Sequence, residues 1–221
     1  MSYCSKLHAW REACLLLAAM PDAQLQPNVI SFSAAINACT KGEQWQTVLA
    51  LFRAMPDAQV QADVVSLNAT ISACEKGGQW LQAVALFLAM PALKLQGDVI
   101  SFNATISACE KAGLWQQALV LFESMPAARL NANVVSFNAS ISACEKGGQW
   151  QHAFALFSAM SAAEVQPDLV SFNAMIRAGE TGAPLQQLPL LLGLTEHNGL
   201  YAFRSAIAAQ AYVSNHALTG L

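Results

Sequence analysis

The five tryptophans of this chain recur at a fixed interval. They stand at positions 10, 45, 80, 115 and 150, so each step is 35 residues. Cysteine keeps the same interval at 4, 39, 74, 109 and 144, and lysine does so at 6, 41, 76, 111 and 146. A fixed period of about 20–50 residues is typical of solenoids, in which one unit cannot bury its apolar face alone and stacked units share a core. The sequence therefore predicts an elongated array.

Each 35-residue unit carries the pattern of two helices. In the unit at 64–98, the apolar residues of the first half follow the i, i+4, i+7 spacing of one helix face. They are Leu67, Ile71 and Cys74. Asp63 is a plausible N-cap, and Gly77–Gly78 supplies the C-terminal stop. These signals predict a first helix that ends at the glycine pair.

A second helix is predicted from Gln79 to about Met90. Its apolar residues again fall on one stripe. They are Trp80, Ala83, Val84, Phe87 and Met90. Pro91 ends this helix, and the same Met-Pro step closes other units. The fold class is therefore an all-α solenoid of antiparallel helix pairs.

The period also sets the predicted domain organisation. Counting from Val29 gives four complete units, at 29–63, 64–98, 99–133 and 134–168. Residues 1–28 are expected to form a partial N-terminal unit whose first helix is already under way at Met1. Residues 169–199 are predicted to be a degenerate unit, and 200–221 a degenerate terminal helix.

Composition and motif content argue against several classes of function. Charged residues make up 11% of the chain, against about 25% in ordinary soluble domains, and the pI of 5.7 argues against nucleic-acid binding through bulk positive charge. No stretch offers about 18 consecutive apolar residues for a membrane span, and no secretory signal opens the chain. The histidines form no constellation with cysteine or serine, and neither zinc-ligand pairs nor a glycine-rich phosphate loop occurs. We expect no catalysis, no cofactor, no metal and no membrane.

The cysteine and tryptophan columns are expected to lie in the core. Packed helix axes are about 8–10 Å apart, whereas a disulfide needs Cα atoms within about 7 Å. Successive cysteines of the column are therefore expected to stay free, which fits a reducing compartment. The tryptophans lie on the apolar stripe of the second helix, so we expect core residues rather than stacking platforms for bases.

Four short motifs resemble the pentatricopeptide repeat family, whose units are 35-residue helix pairs. They are Val-Val-Ser-Phe-Asn at 134–138, Cys-Glu-Lys-Gly-Gly at 144–148, Ala-Leu-x-Leu-Phe-x-x-Met at 118–125, and Pro-Asp at 167–168. The resemblance covers residues 1 to about 180. The tetratricopeptide family is a near alternative, but its period is 34 and it lacks the Asn and Asp columns. The resemblance implies a right-handed superhelical α-solenoid.

The resemblance also implies single-stranded RNA binding, with one base per unit along a concave surface lined by the first helices. In the family, the fifth and last residues of a unit together select the base. These pairs would be Ser33 with Asp63, Asn68 with Asp98, Asn103 with Asn133, and Asn138 with Asp168, while Asn173 begins a fifth pair. The aliphatic residues that sandwich the bases would be Ile30, Val65, Ile100, Val135 and Val170. The lysines that contact the RNA backbone would be Lys41, Lys76, Lys111 and Lys146.

Each of these assignments has a structural alternative. Asparagine is a poor residue for a helix interior, so its column suggests a side chain wanted for outward hydrogen bonding, but duplication of one unit would also repeat it. The terminal aspartates could act as N-caps, and both roles can hold together. The lysines would form a line suited to a phosphate backbone, or they could complement helix dipoles. Neighbouring Glu75, Glu110 and Glu145 partly offset that line.

The family gives further expectations about partners and location. With N-terminal units toward the 5′ end, the pairs suggest the sequence 5′-G-U-C/U-U-3′. A role in organellar RNA processing, stability or translation, in mitochondrion or chloroplast, is expected from the family, although no targeting peptide is present in this chain. End-to-end association through uncapped units is a further expectation. The rival function is a protein-protein interaction scaffold resembling tetratricopeptide arrays, which the acidic pI mildly favours.

Overall fold

The computed structural model describes the backbone of residues 3–182 and the side chains of residues 9–179. Within these residues all regular secondary structure is helical. The helices are α1 Tyr3–Ala19, α2 Val29–Lys41, α3 Trp45–Ala54, α4 Val64–Lys76, α5 Trp80–Ala89, α6 Val99–Lys111, α7 Trp115–Ser124, α8 Val134–Lys146, α9 Trp150–Ala162 and α10 Leu169–Gly182. The degenerate second half predicted up to residue 199 and the terminal helix predicted at 200–221 lie outside the described residues.

The helices stack in the order of the chain. Each first helix (α2, α4, α6, α8) packs against the second helix of its own unit and against the first helix of the next unit. Each second helix (α3, α5, α7, α9) also contacts the first helix of the next unit. This arrangement confirms the predicted all-α solenoid, and it places the first helices side by side in one row.

The apolar core lies between units as well as within them. Ile71, Cys74 and Ala83 of one unit pack in one cluster with Ala108 of the next. Aromatic rings cross the same junctions edge to face: ring centroids are 4.7 Å apart for Phe87–Phe102, 4.9 Å for Phe122–Phe137 and 5.2 Å for Phe157–Phe172. Such pairs contribute about 0.5–1.5 kcal/mol beyond the area they bury. A single unit would therefore lose much of its stabilising contact.

The tryptophans are only partly buried, which corrects the prediction of core burial. Trp45 and Trp80 keep intermediate exposure and pack at the edge of the core clusters. The indole of Trp45 lies so close to Gly77 of the next unit that a Cβ there would collide with it. Gly147 faces Trp115 in the same way. The tryptophan therefore covers the helix end of the following unit, a contact between units that a helical stripe alone does not reveal.

Paired signals define the ends of the first helices, as predicted. Asp63 accepts a hydrogen bond from the Ser66 backbone N–H at 2.8 Å, and the Ser66 hydroxyl accepts one from the Asp63 N–H at 3.1 Å, which completes a capping box. At the other end, Gly78 has a φ of +69°. That left-handed conformation costs little for glycine because it has no Cβ.

The N-terminal helix differs from the predicted partial unit. Helix α1 runs from Tyr3 to Ala19 without a break. The positions where other units carry the stop Gly77–Gly78 hold Leu7 and His8 here. With a glycine at neither position, unlike the unit that carries Gly42 and Glu43, the helix continues, so the two helices expected in this unit are one.

Glu43 provides a test of the helix-stop argument. It occupies the glycine position of its unit with a φ of +58°. A residue with a Cβ in this conformation costs about 1–2 kcal/mol, and glycine avoids that cost. Part of the gain is offset, because glycine loses more conformational entropy when the chain folds. We expect Glu43→Gly to raise the free energy of unfolding by about 0.5–1 kcal/mol in urea denaturation. Gly78→Ala is the reciprocal control and should lower it; a Glu43→Gly protein no more stable than the parent would contradict the argument.

Candidate nucleic-acid interface

A row of exposed aliphatic side chains runs along the first helices. Each occupies the second position of its unit, in the first helical turn, and each is more than half exposed. They are Ile30 (74% exposed), Val65 (60%), Ile100 (63%), Val135 (54%) and Val170 (55%). Five β-branched side chains held in water at a constant interval are unfavourable for folding alone, because large aliphatic side chains gain free energy on burial. The predicted base-sandwiching residues therefore form one accessible row.

The predicted base-selecting residues meet in pairs across the junction between units. Asn68 Nδ2 donates to both carboxylate oxygens of Asp98, at 3.0 and 3.2 Å. Asn138 Nδ2 donates to Asp168 Oδ1 at 2.9 Å. In the third pair, Asn103 Nδ2 donates to Asn133 Oδ1 at 3.2 Å. The side chains that were 30 residues apart in sequence are direct partners in space.

Two of the asparagines, Asn68 and Asn138, do not point freely outward, which corrects for them the expectation drawn from helix propensity, whereas Asn103 and Asn173 are partly exposed. Asn68 is only 7% exposed and Asn138 only 9%. Their carbonyl oxygens accept hydrogen bonds from Ser101 and Ser171 of the next unit, at 2.6 and 2.5 Å. The start of the next first helix covers both asparagines, so each amide uses part of its hydrogen-bonding capacity within the protein. One Nδ2 hydrogen and one Oδ1 lone pair remain.

The first pair is built differently. The Ser33 hydroxyl is buried and has no hydrogen-bond partner within the described part of the chain. Asp63 caps α4 through Ser66, but the serine side chain is too short to reach across the junction as asparagine does. Asn173 is partly buried in α10, and the residue 30 positions further on, at the spacing of the other pairs, lies outside the described residues.

The lysine column divides into two kinds of site. Lys111 Nζ lies 2.5 Å from Glu75 Oε1 of the preceding unit, and Lys146 Nζ lies 2.6 Å from Glu110 Oε1. Lys41 and Lys76 make no ion pair among the described residues. The reason is in the sequence: the preceding unit has Thr40 where the glutamate column would supply a partner for Lys76. Positive charge is therefore uncompensated only toward the N-terminal end of the column.

The column cysteines are buried, as predicted. Cys39, Cys74, Cys109 and Cys144 have no exposed surface. Burial raises the pKa of Cys74 and of Cys144 to about 11, so both thiols stay protonated at neutral pH. Cys14 lies off the column, and its Sγ is 3.4 Å from Cys39 Sγ. The 35-residue period does not predict this pair of free thiols, because Cys14 has no counterpart in the other units.

Two other properties of the described region bear on function. Among residues whose side chains are described, no three histidine, cysteine, aspartate or glutamate residues cluster as metal ligands. In the same part of the chain, no helix combines the length and apolar character needed to cross a membrane.

Stacked helix pairs that repeat every 35 residues, with a row of exposed aliphatic and paired polar side chains on the first helices, define a helical-repeat protein. Three family models match the chain: the PPR repeat family at 132–178, the pentatricopeptide repeat domain at 85–146, and the PPR repeat at 30–60 and 65–95. The chain belongs to the pentatricopeptide repeat (PPR) family. No curated protein matches it.

Solved structures share the fold. PPR10 in complex with an 18-nucleotide psaJ RNA element is 22% identical, with a TM-score of 0.72 over 96% of this chain and 32% of PPR10. A second structure, of PPR10 from maize, gives a TM-score of 0.69 at 22% identity, over 97% of this chain and 32% of that one. The PPR domain of Arabidopsis thaliana protein-only RNase P 1 in complex with tRNA is 14% identical, with a TM-score of 0.66 over 81% of this chain and 93% of that domain. The chain spans about a third of the length of PPR10.

The cap carboxylates predict a dependence of stability on acid. Burial raises the pKa of Asp98, but hydrogen bonds from Ser101 and from the Asn68 amide lower it, and the net pKa lies below the usual 3.8. A carboxyl group with a lowered pKa in the folded state stabilises the fold above its unfolded pKa, and that contribution disappears as pH falls through the folded value. We expect Asp98→Asn to reduce the loss of thermal stability between pH 6 and pH 3.

The natural Asn103–Asn133 pair shows that a neutral cap is tolerated in this position. Thermal midpoints of the parent and of Asp98→Asn, compared at both pH values, provide the measurement. An equal loss in the two proteins would mean that Asp98 does not contribute to the acid dependence.

Proposed function

We propose that the array binds single-stranded RNA in a sequence-preferring manner, with one base to each unit, and has no catalytic role. The observation that carries the proposal is the row of exposed aliphatic side chains placed beside the paired polar residues, repeated every 35 residues. A nucleic-acid base has two flat faces and a polar edge. The exposed aliphatic side chains can cover the faces, and the polar pairs still have unused hydrogen-bonding groups for the edge. A base would bury its faces against two successive aliphatic residues while its edge meets the polar pair.

The geometry supports this division of roles in one unit after another. A base between Val65 and Ile100 would lie beside Asn68 and Asp98 at the same junction. Removing apolar side chains and base faces from water contributes about 25 cal/mol for each Å² buried. Exclusion of water also strengthens the hydrogen bonds at the base edge. Affinity would come mainly from the aliphatic row, and preference between bases from the pairs.

The relatives support an RNA partner. Both PPR10 and the PPR domain of protein-only RNase P 1 have been crystallised with RNA. From the family we further propose that the preferred sequence is 5′-G-U-C/U-U-3′, with N-terminal units toward the 5′ end, and that the role lies in mitochondrial or plastid RNA metabolism. End-to-end association of arrays through their terminal units is part of the same proposal.

Titration with RNA tests the function against its rival. An unstructured oligonucleotide containing 5′-G-U-C-U-3′ should bind more tightly than one with the same bases in scrambled order. Equal and weak binding of both would favour the protein-binding scaffold, to which the acidic pI of 5.7 and the glutamate-paired lysines are suited.

Substitution of Ser33 tests the assignment of individual bases. A short hydroxyl leaves room for a purine, whereas asparagine fills that room and presents an amide to a pyrimidine edge. We expect Ser33→Asn to move the first preferred base from G to U and to leave the other three unchanged. A well-formed polar pair discriminates by about 1–3 kcal/mol in the comparable DNA case, so the relative affinity should change about tenfold or more. Selection from a randomised RNA pool provides the measurement; identical ranking of G and U in mutant and parent would contradict the assignment.

Salt dependence tests the lysine contacts. If only Lys41 and Lys76 meet phosphates, the slope of log affinity against log salt should be about −1.4, from about −0.7 for each contact on a single strand. Lys76→Ala should flatten the slope to about −0.7 and weaken binding to all sequences alike. Removing the neutral ion pair by Lys111→Ala with Glu75→Ala is the matched control and should leave the slope unchanged. A steeper parent slope near −2.8, reduced by the double substitution, would show that the paired lysines also contact RNA.

A further inference from the structure

At three junctions between units, the asparagine makes a second hydrogen bond in addition to the one with its paired Asp or Asn. The serine at the third position of a unit has two side-chain acceptors for its one hydroxyl hydrogen. The Oδ1 of its own cap residue lies at 2.9 Å for Ser101, 3.1 Å for Ser136 and 3.0 Å for Ser171. The nearer acceptor, which we take as the one that receives the hydrogen, is the asparagine Oδ1 of the preceding unit. The distances are 2.6 Å for Ser101 to Asn68, 2.6 Å for Ser136 to Asn103, and 2.5 Å for Ser171 to Asn138. In each case the same hydroxyl also accepts a hydrogen bond from the backbone N–H of the cap residue.

These contacts fix which end of the amide carries the oxygen. The two ends of an asparagine side chain have nearly the same shape but opposite hydrogen-bonding sense. At Asn68, the hydroxyl of Ser101 supplies a donor on one side, and the Asp98 carboxylate supplies an acceptor on the other, 3.0 Å from Nδ2. If the Asn68 amide group were rotated by 180°, its oxygen instead of its nitrogen would face the Asp98 carboxylate. The donor and acceptor that remain for a ligand therefore hold fixed positions.

The junction between the units at 29–63 and 64–98 lacks this contact, although it has the equivalent serine, Ser66. Ser66 accepts a hydrogen bond from the Asp63 N–H at 3.1 Å, as its counterparts do from their cap residues. Its hydroxyl hydrogen goes to the carbonyl oxygen of Asp63, at 2.9 Å, because Ser33 offers no amide to receive it. Ser66 and Ser101 therefore serve equally as capping residues, and only Ser101 orients a side chain that faces the proposed RNA.

We infer that Ser101, Ser136 and Ser171 are positioning residues for base selection: each holds the asparagine of the preceding unit in the orientation that distinguishes one base from another. The inference rests on the proposed function. It assigns part of the specificity of each unit to the unit that follows it, so a base preference is a property of a junction rather than of one 35-residue segment.

The test compares Ser101→Ala with Ser66→Ala, because both lose the same capping contact. Affinities are measured for four unstructured RNAs, 5′-G-N-C-U-3′, that differ only at the second base, which the unit at 64–98 is proposed to select. Loss of one hydrogen bond corresponds to a change of about three- to tenfold. We expect Ser101→Ala to reduce the preference for U at this base by that factor and to leave preferences at the other bases unchanged. Ser101→Thr should retain the parent preference, and Ser66→Ala should retain it at every base.

A double substitution separates positioning from a general effect on stability. In an Asn68→Ser background the amide is absent, so adding Ser101→Ala should not change the ranking of bases further. If Ser101→Ala leaves the preference for U intact, or if Ser66→Ala relaxes it equally, the positioning role is wrong while the proposed function stands. If the parent protein discriminates none of the four RNAs and binds a scrambled oligonucleotide as tightly, both the proposed function and this inference are overturned.

Discussion

The start of each first helix is the point on which the rest of the array depends. At Asp98, one carboxylate accepts the Ser101 backbone N–H, receives the Asn68 amide of the preceding unit, and so joins two units at the place where a helix begins. An N-cap contributes about 1 kcal/mol to a helix. At α6, α8 and α10 the cap side chain also hydrogen-bonds the asparagine of the preceding first helix, on the same helices that carry the exposed aliphatic row. Local helix formation and the geometry of the proposed RNA surface therefore have a common physical origin.

The few charged residues of the array are partly paired with one another between units. With only 11% charged residues, the array still places Glu75 and Glu110 beside lysines of the following unit, and the serines Ser107 and Ser142 donate to the same two carboxylates. Partly exposed ion pairs of this type contribute little to stability. Their larger consequence is electrostatic, because they leave a short positive segment near Lys41 and Lys76 rather than a uniform track. On this surface, apolar burial and hydrogen bonding would carry most of the interaction with a base.

The period and the helix pairs could be predicted from sequence because they rest on local physics. Apolar spacing marks a helix face wherever the chain lies, and glycine pairs stop a helix because few other residues adopt a left-handed conformation at low cost. The same reasoning could have shown that Leu7 and His8 let α1 continue. Half-burial of Trp45 could not be derived in this way, since it depends on Gly77 of the next unit approaching the indole.

The sequence by itself determined the 35-residue unit, its two helices, their caps and the columns in which the polar residues stand, because each follows from neighbours within a few turns of chain. Only the tertiary structure decided what those columns do. Stacking brings Asn68 against Asp98 and Ser101, buries an amide expected to face solvent, pairs Lys111 with Glu75, and leaves Ile30 and Val65 exposed. These contacts join residues about 30 or more positions apart, and their distances depend on how one helix pair packs on the next. No local pattern contains that information.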